Sequence, residues 1–236
     1  MICDHGSAFR SALKNLRQES RRRQILVGEV IDDVFIFGGY HLSVLFDPPH
    51  LIKGIRNIFF KNNVKFNNKI SKWSDFIEVY KTNCKQARSR LLHKLNDEHI
   101  IPEKIKKMKV KNRTRVFSKT MAATLAYSSE FSNYSDGSPV SPTLKNTAEV
   151  TEFLDQLFDS VNGASFVGLR RRKPLRSVVK KDSECHKFWK EATEKLTKMR
   201  FIDKLGKEKS VPSLMNWIVS LNSLLRLWQF FNLKKY

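Results

Sequence analysis

Phe46-Asp47-Pro48-Pro49-His50-Leu51-Ile52-Lys53-Gly54-Ile55-Arg56-Asn57 joins two kinds of pattern in one short string. Before it, apolar runs over 34–37 and 42–46, linked through Gly38-Gly39-Tyr40-His41, read as the two strands of a hairpin. After it, Leu51, Ile52, Ile55, Ile58 and Phe59 repeat at helical spacing, with a proline suited to the first turn. Asp47 stands at the changeover, where a carboxylate either binds a metal from a rigid strand end or caps the helix. His50 has no second ligand near it in sequence, so it reads as hydrogen-bonding back to the sheet.

Upstream, Met1-Ile2-Cys3 resembles a strand end and Asp4 precedes a helix in which Ala8, Ala12, Leu13 and Leu16 share a face. Asp4 thus has the same two readings as Asp47: cation ligand or helix cap. Downstream, strand-like alternation fades from Ile70, and helical stretches follow at 72–95, 103–128, 144–162, 183–199 and 212–231. The serine, glycine and proline content of 128–139 marks a mobile surface loop. The fold class expected is α+β and mainly α-helical: a short β/α part over 1–60, then a helical domain over 61–236.

Charge separates the same two parts. Lysine and arginine number 44 against 23 acids, a net charge of +21 that favours polyanions. Residues 1–60 carry only 8 basic and 6 acidic residues, so the positive surface belongs to the second part. The stretch from Lys104 to Lys119 is its densest region, either a solvated helix face or a set of phosphate contacts. Cys3, Cys84 and Cys185 are too scattered for a disulfide framework or a zinc site and suit a reducing compartment. No apolar run approaches the roughly twenty residues of a membrane span, so no membrane partner is expected. Arg21-Arg22-Arg23 and Arg170-Arg171-Arg172-Lys173 have the composition of nuclear import signals and equally of solvated faces.

One segment has the parts of a base-binding site. Phe158-Asp159-Ser160-Val161-Asn162 reads as the last turns of a helix ended by Gly163, with Phe158, Asp159 and Asn162 along one edge. A purine stacks on a flat apolar ring, and guanine presents adjacent N–H donors to a carboxylate. The alternative is a helix whose Phe153, Leu154, Leu157, Phe158 and Val161 form core. No GxxxxGK[ST] loop is present, so a nucleotide site here is not of the Walker type.

Cys3-Asp4-His5-Gly6-Ser7, DPPHLIKGIRN at 47–57, KMKVKNRTRVFS at 107–118 and FDSVN at 158–162 resemble, in order and spacing, the P element-type DNA transposases and their THAP-domain relatives. Lys173-Pro174-Leu175-Arg176, the segment 186–196 and Pro212 to Trp217 continue the likeness. The resemblance implies a cut-and-paste transposase: an RNase H-like nuclease fold with three acidic metal ligands, interrupted by a GTP-binding insertion domain. It implies that Asp4 is the second acid, binding Mg2+, with Asp47 as substitute. Phe158, Asp159 and Asn162 become guanine-nucleotide contacts, joined by Val116 of the RVFS segment.

The same resemblance implies DNA, at transposon ends, as partner, a nuclear location, and a homo-oligomer or a full-length transposase as possible assembly. The zinc-dependent DNA-binding domain and the first and third acids are expected to lie outside this chain, which leaves its nuclease site incomplete. The other reading is a basic, helical nucleic-acid-binding or scaffold protein that makes no use of GTP.

Overall fold

The computed structural model describes residues 2–3, 7–28, 35–38, 40–85, 90–105, 115–163, 174–181 and 183–233. It is mainly helical with small sheets, as the α+β expectation has it. Among the described residues, no helix is long and apolar enough to cross a membrane.

Strand β1 (Ile2–Cys3) leads to helix α1 (Ser7–Leu26), then to β2 (Phe35–Phe37) and β3 (Tyr40–Leu42). The β2–β3 hairpin pairs Phe37 with Tyr40, and its turn begins at Gly38, at φ 57°. That shifts the hairpin expected over 34–37 and 42–46: its second strand ends at Leu42. Strand β4 (Leu45–Phe46) is separate and lies parallel to β1, with Ile2 opposite Leu45 and Cys3 opposite Phe46. Its partner is thus a strand more than forty positions earlier in the sequence, which a local apolar pattern cannot announce.

Helix α2 (Pro48–Phe59) starts where expected. Leu51, Ile52, Ile55 and Phe59 are buried, as their spacing requires. Gly54 has a different reason to be small: a Cβ there would fall 2.0 Å from Ser213 Oγ, on helix α8 (Pro212–Leu233). The two helices approach too closely for any side chain at that position. Phe46 N–H also donates to Ser220 Oγ of α8 at 2.9 Å, so β4 and α2 share one core with the last helix.

The second part holds a four-stranded antiparallel sheet that the fading alternation after Ile70 does not suggest. Its order is β6 (Lys69–Ser71), β5 (Asn63–Phe66), β7 (Arg200–Ile202), β8 (Glu208–Lys209). Asn67 and Asn68 join β5 to β6 with φ of 49° and 60°, a left-handed pair that asparagine tolerates. Val64 lies opposite Ser71 on one side and Phe201 on the other.

Helices α3 (Trp73–Lys85), α4 (Asp97–Ile100), α5 (Lys119–Ser128), α6 (Leu144–Val161) and α7 (Glu184–Lys198) all lie between β6 and β7 in the chain. The last three expected helices match α6, α7 and α8 closely, whereas the stretches 72–95 and 103–128 are broken. Asn83 Oδ1 accepts the Leu92 N–H, turning the chain after α3, and Asn96 with His99 forms a capping box that starts α4. Pro102 then opens a 3-10 turn (Pro102–Lys104).

Phe59, Trp73, Phe76 and Phe117 form an aromatic centre, with Phe59 5.7 Å from Trp73 and 5.6 Å from Phe76. Beside it, the buried Asp75 carboxylate accepts from Ser141 Oγ at 2.9 Å, Thr143 Oγ1 at 2.8 Å and the Thr147 hydroxyl. That acid ties α3 to the start of α6. The serine-rich 128–139 segment, expected as a mobile loop, is a hydrogen-bonded hairpin: Asn133 bridges Pro139, and Tyr134 OH donates to Glu78 at 2.8 Å.

Candidate functional site

The site is built at the C-terminal end of α6. Glu152, Asp155 and Asp159 recur at i, i+3 and i+7, which places three carboxylates on one face of the helix. With Gln156, Lys119, Pro174 and Leu175 they line a cleft of about 80 Å³. Lys119 reaches it because the RVFS segment anchors the start of α5: Val116 and Phe117 are buried, and Ser118 Oγ accepts the Met121 N–H at 3.3 Å as the helix cap.

Asp159 is 7% exposed and faces Arg176, whose Nε lies 3.7 Å from Oδ1. The gap is too long for a hydrogen bond, and among the described residues Arg176 Nε has no hydrogen-bond partner. A buried guanidinium N–H in that condition is a donor available to a ligand. Arg176 ends a 3-10 turn (Pro174–Arg176) held close by Gly163, where an added Cβ would come within 3.2 Å of the Arg176 carbonyl oxygen. From the other side, Trp189 Nε1 donates to Ser160 Oγ at 3.1 Å and so fixes the last turn of α6 against α7.

Of the residues singled out in the sequence, Asp159 faces the cleft and Asn162 is exposed at the helix end, its N–H bonded to the Asp159 carbonyl at 3.3 Å. Phe158 is half-buried and packs against the core; it is not among the residues lining the cleft. Val116 is fully enclosed, so its side chain offers nothing to a ligand and only its main-chain groups remain. Arg176, Glu152, Asp155 and Lys119 were not picked out as site residues. The signal for the two acids was their i, i+3, i+7 spacing with Asp159; Arg176 and Lys119 come from other segments.

At the other candidate site, Asp47 is the cap of α2: its carboxylate accepts the His50 N–H at 3.2 Å and also bonds His50 Nδ1. His50 therefore orients against Asp47 and not back to the sheet. The β1–β4 ladder ends one residue before Asp47. Asp4 lies outside the described residues, as do 106–114 of the basic stretch and Arg170 to Lys173. Among the described residues, no three or more His, Cys, Asp or Glu side chains are grouped to hold a metal.

A short parallel strand pair leading into a mainly helical part, with an acid-lined cleft at the end of a long helix, defines an α+β, mainly helical protein. The family model described as "TNP-like, GTP-binding insertion domain" matches residues 49–174, more than half of the chain, and the chain belongs to that family. The match begins beside β4 and inside the 1–60 segment. Among solved structures, the Drosophila P element transposase strand transfer complex is similar, with 21% identity and a TM-score of 0.72 over 97% of this chain and 48% of that one. This chain thus spans about half the length of that protein and shares its fold. Both findings bear out the resemblance to P element-type transposases. A comparison with curated proteins gives no significant match.

Proposed function

We propose that this chain is the nucleotide-recognising part of a transposase, binding guanine nucleotide at the end of α6 and DNA through its basic surface. The observation that carries the nucleotide reading is the pairing of an enclosed carboxylate, Asp159, with a guanidinium whose Nε has no hydrogen-bond partner among the described residues. Guanine carries two adjacent N–H donors and one carbonyl; a carboxylate accepts the first two and an arginine N–H donates to the third. Adenine matches neither. Lys119 at the cleft edge suits a phosphate.

Residues and ligand fit in chemistry, and the fit in size requires movement: about 80 Å³ is well below the roughly 300–1,000 Å³ of a nucleotide-sized pocket. Binding would therefore part Pro174 and Leu175 from α6. Mg2+ would arrive on the nucleotide phosphates and keep mostly water ligands, with Glu152 and Asp155 the nearest carboxylates. The narrow cleft also favours, as second reading, a nucleic-acid-binding protein without GTP use.

Titration with labelled GTP and Mg2+ separates the two. Loss of a carboxylate that accepts hydrogen bonds from the base is worth about tenfold or more in affinity. Asp159→Ala is expected to lose that much, and Asp159→Asn to shift preference toward xanthosine triphosphate, whose 2-carbonyl accepts from the amide. The gain guards against mistaking unfolding for lost contact. Equal binding by wild type and both variants would sink the nucleotide reading.

For DNA, the excess of +19 beyond residue 60 supports phosphate contacts with little sequence preference. We infer that metal-dependent strand cleavage, in an RNase H-like site, would draw on carboxylates in addition to Asp4 and Asp47, and that the chain works in the nucleus on its DNA.

A further inference from the structure

A second cavity, of about 380 Å³, lies between α3, α5 and the 131–140 hairpin, away from the cleft at Asp159. Thr82 and Asn83 of α3, Thr124 and Tyr127 of α5, and Leu91 and Phe131 form most of its wall. Three of these are large apolar side chains left open to solvent: Tyr127 at 63%, Leu91 at 52% and Phe131 at 49% exposed. Tyr127 and Phe131 meet edge to face at 5.1 Å, which leaves a ring face free for a planar group.

The polar groups at the back of the cavity are neutral. Asn83 is buried and held by the Leu92 N–H, and Thr124 Oγ1 is tied to the Thr120 carbonyl at 2.8 Å. Among the described residues that line the cavity there is no acid. The segment that supplies α3 and Leu91 is basic throughout: Lys81, Lys85, Arg88, Arg90 and Lys94 fall within fourteen positions that hold no aspartate or glutamate. Lys85 pairs with Asp136 of the hairpin at 2.8 Å, and Glu78 accepts from the hydroxyl of Tyr134, a wall residue, at 2.8 Å.

We propose that this cavity takes an unpaired nucleobase of single-stranded nucleic acid, stacked on Tyr127 or Phe131 with Leu91 wedged beside it, while Lys81, Lys85, Arg90 and Lys94 hold the flanking phosphates. A flat, mostly neutral wall with a cationic border matches a base between two phosphates. An acidic peptide would need cations inside the cavity, and among the described residues that line it there is none. The proposal rests on the DNA-binding reading above and adds to it a preference for unpaired strands. Stacking of one base on an aromatic ring contributes about 1–3 kcal/mol, or roughly tenfold or more in affinity.

The test compares a labelled oligothymidine strand with a duplex of the same length, by fluorescence anisotropy on the full chain at low salt. The double variant Tyr127→Ala/Phe131→Ala is expected to weaken the single strand about tenfold or more and to leave the duplex within about twofold. Tyr127→Phe/Phe131→Tyr should retain wild-type affinity for both. Because both rings are largely exposed, their truncation spares the core, and unchanged thermal midpoints confirm it. Cross-linking of wild type to a bromouracil strand, mapped to the peptide spanning 119–140, is an independent reading. Equal losses on both DNAs, no loss on either, or cross-links only elsewhere overturn the pocket while leaving phosphate binding intact. If neither DNA binds at low salt, the DNA reading itself fails and takes the pocket with it.

Discussion

His99 shows how a single buried residue sets a pH response. It is 2% exposed, its Nδ1 accepts the Asn96 N–H at 3.1 Å, and burial, reinforced by the charge of Arg115, lowers its pKa. Asn96 and Glu98 pull the other way and Arg56 adds to the lowering, without reversing its direction. A histidine with a depressed folded-state pKa binds fewer protons folded than unfolded in the window below its ordinary value, about 6.5. Stability is therefore complete above that pH and is lost as pH falls through the window. Urea midpoints at two pH values on either side of that value should fall on acidification, and His99→Gln should flatten the difference. An unchanged difference in the variant would assign the effect elsewhere. At the same scale, Asp47 illustrates a residue type whose sequence reading was open between metal ligand and cap; the geometry has it capping α2.

At the scale of elements, the β5–β6 hairpin depends on its turn. Asn67 and Asn68 both adopt left-handed backbone, which costs an ordinary L-residue about 1–2 kcal/mol and a β-branched residue more. Asn68→Val is expected to destabilise the chain by more than that amount, and Asn68→Gly to be tolerated or mildly stabilising, read from thermal or urea midpoints. The hairpin matters beyond itself because Lys69 pairs with Glu149 at 2.7 Å, and Asn146 donates to the Ile70 carbonyl at 3.1 Å. Both contacts hold the sheet against α6, the helix that ends at the candidate site. Asp75 does the same from α3, and Trp189 from α7. The helices α6, α7 and α8 were legible because each presents a long apolar stripe; the broken segments after α3 were not, because Asn83 turns the chain after α3 and Asn96 caps the start of a new helix.

For the whole molecule, charge is the dominant property. A net +21, almost all beyond residue 60, predicts that DNA affinity falls linearly with salt on a log–log scale, by about 0.9 per phosphate contact for duplex. Binding measured over a range of salt on two unrelated duplexes should give equal, steep slopes. Tight, salt-resistant binding of one sequence would contradict this. Among the described residues, Phe46 and α2 share one core with α8, so packing is continuous across residue 60.

The amino-acid order by itself determined the charge, the long amphipathic helices and the motif order that marks the family, since each depends only on which residues are neighbours along the chain. It also offered Asp159, with its ring and amide neighbours, as a base-binding set. What only tertiary structure decided is which residues share a cleft: Asp159 lines it with Lys119 and faces Arg176 beside it, while Phe158 turns to the core. The same holds for the four-stranded sheet, where Asn63 lies opposite Ile202. Strands this short carry too little alternation to be seen alone, and a pairing or a pocket wall assembled from distant segments leaves no periodic trace in either of them.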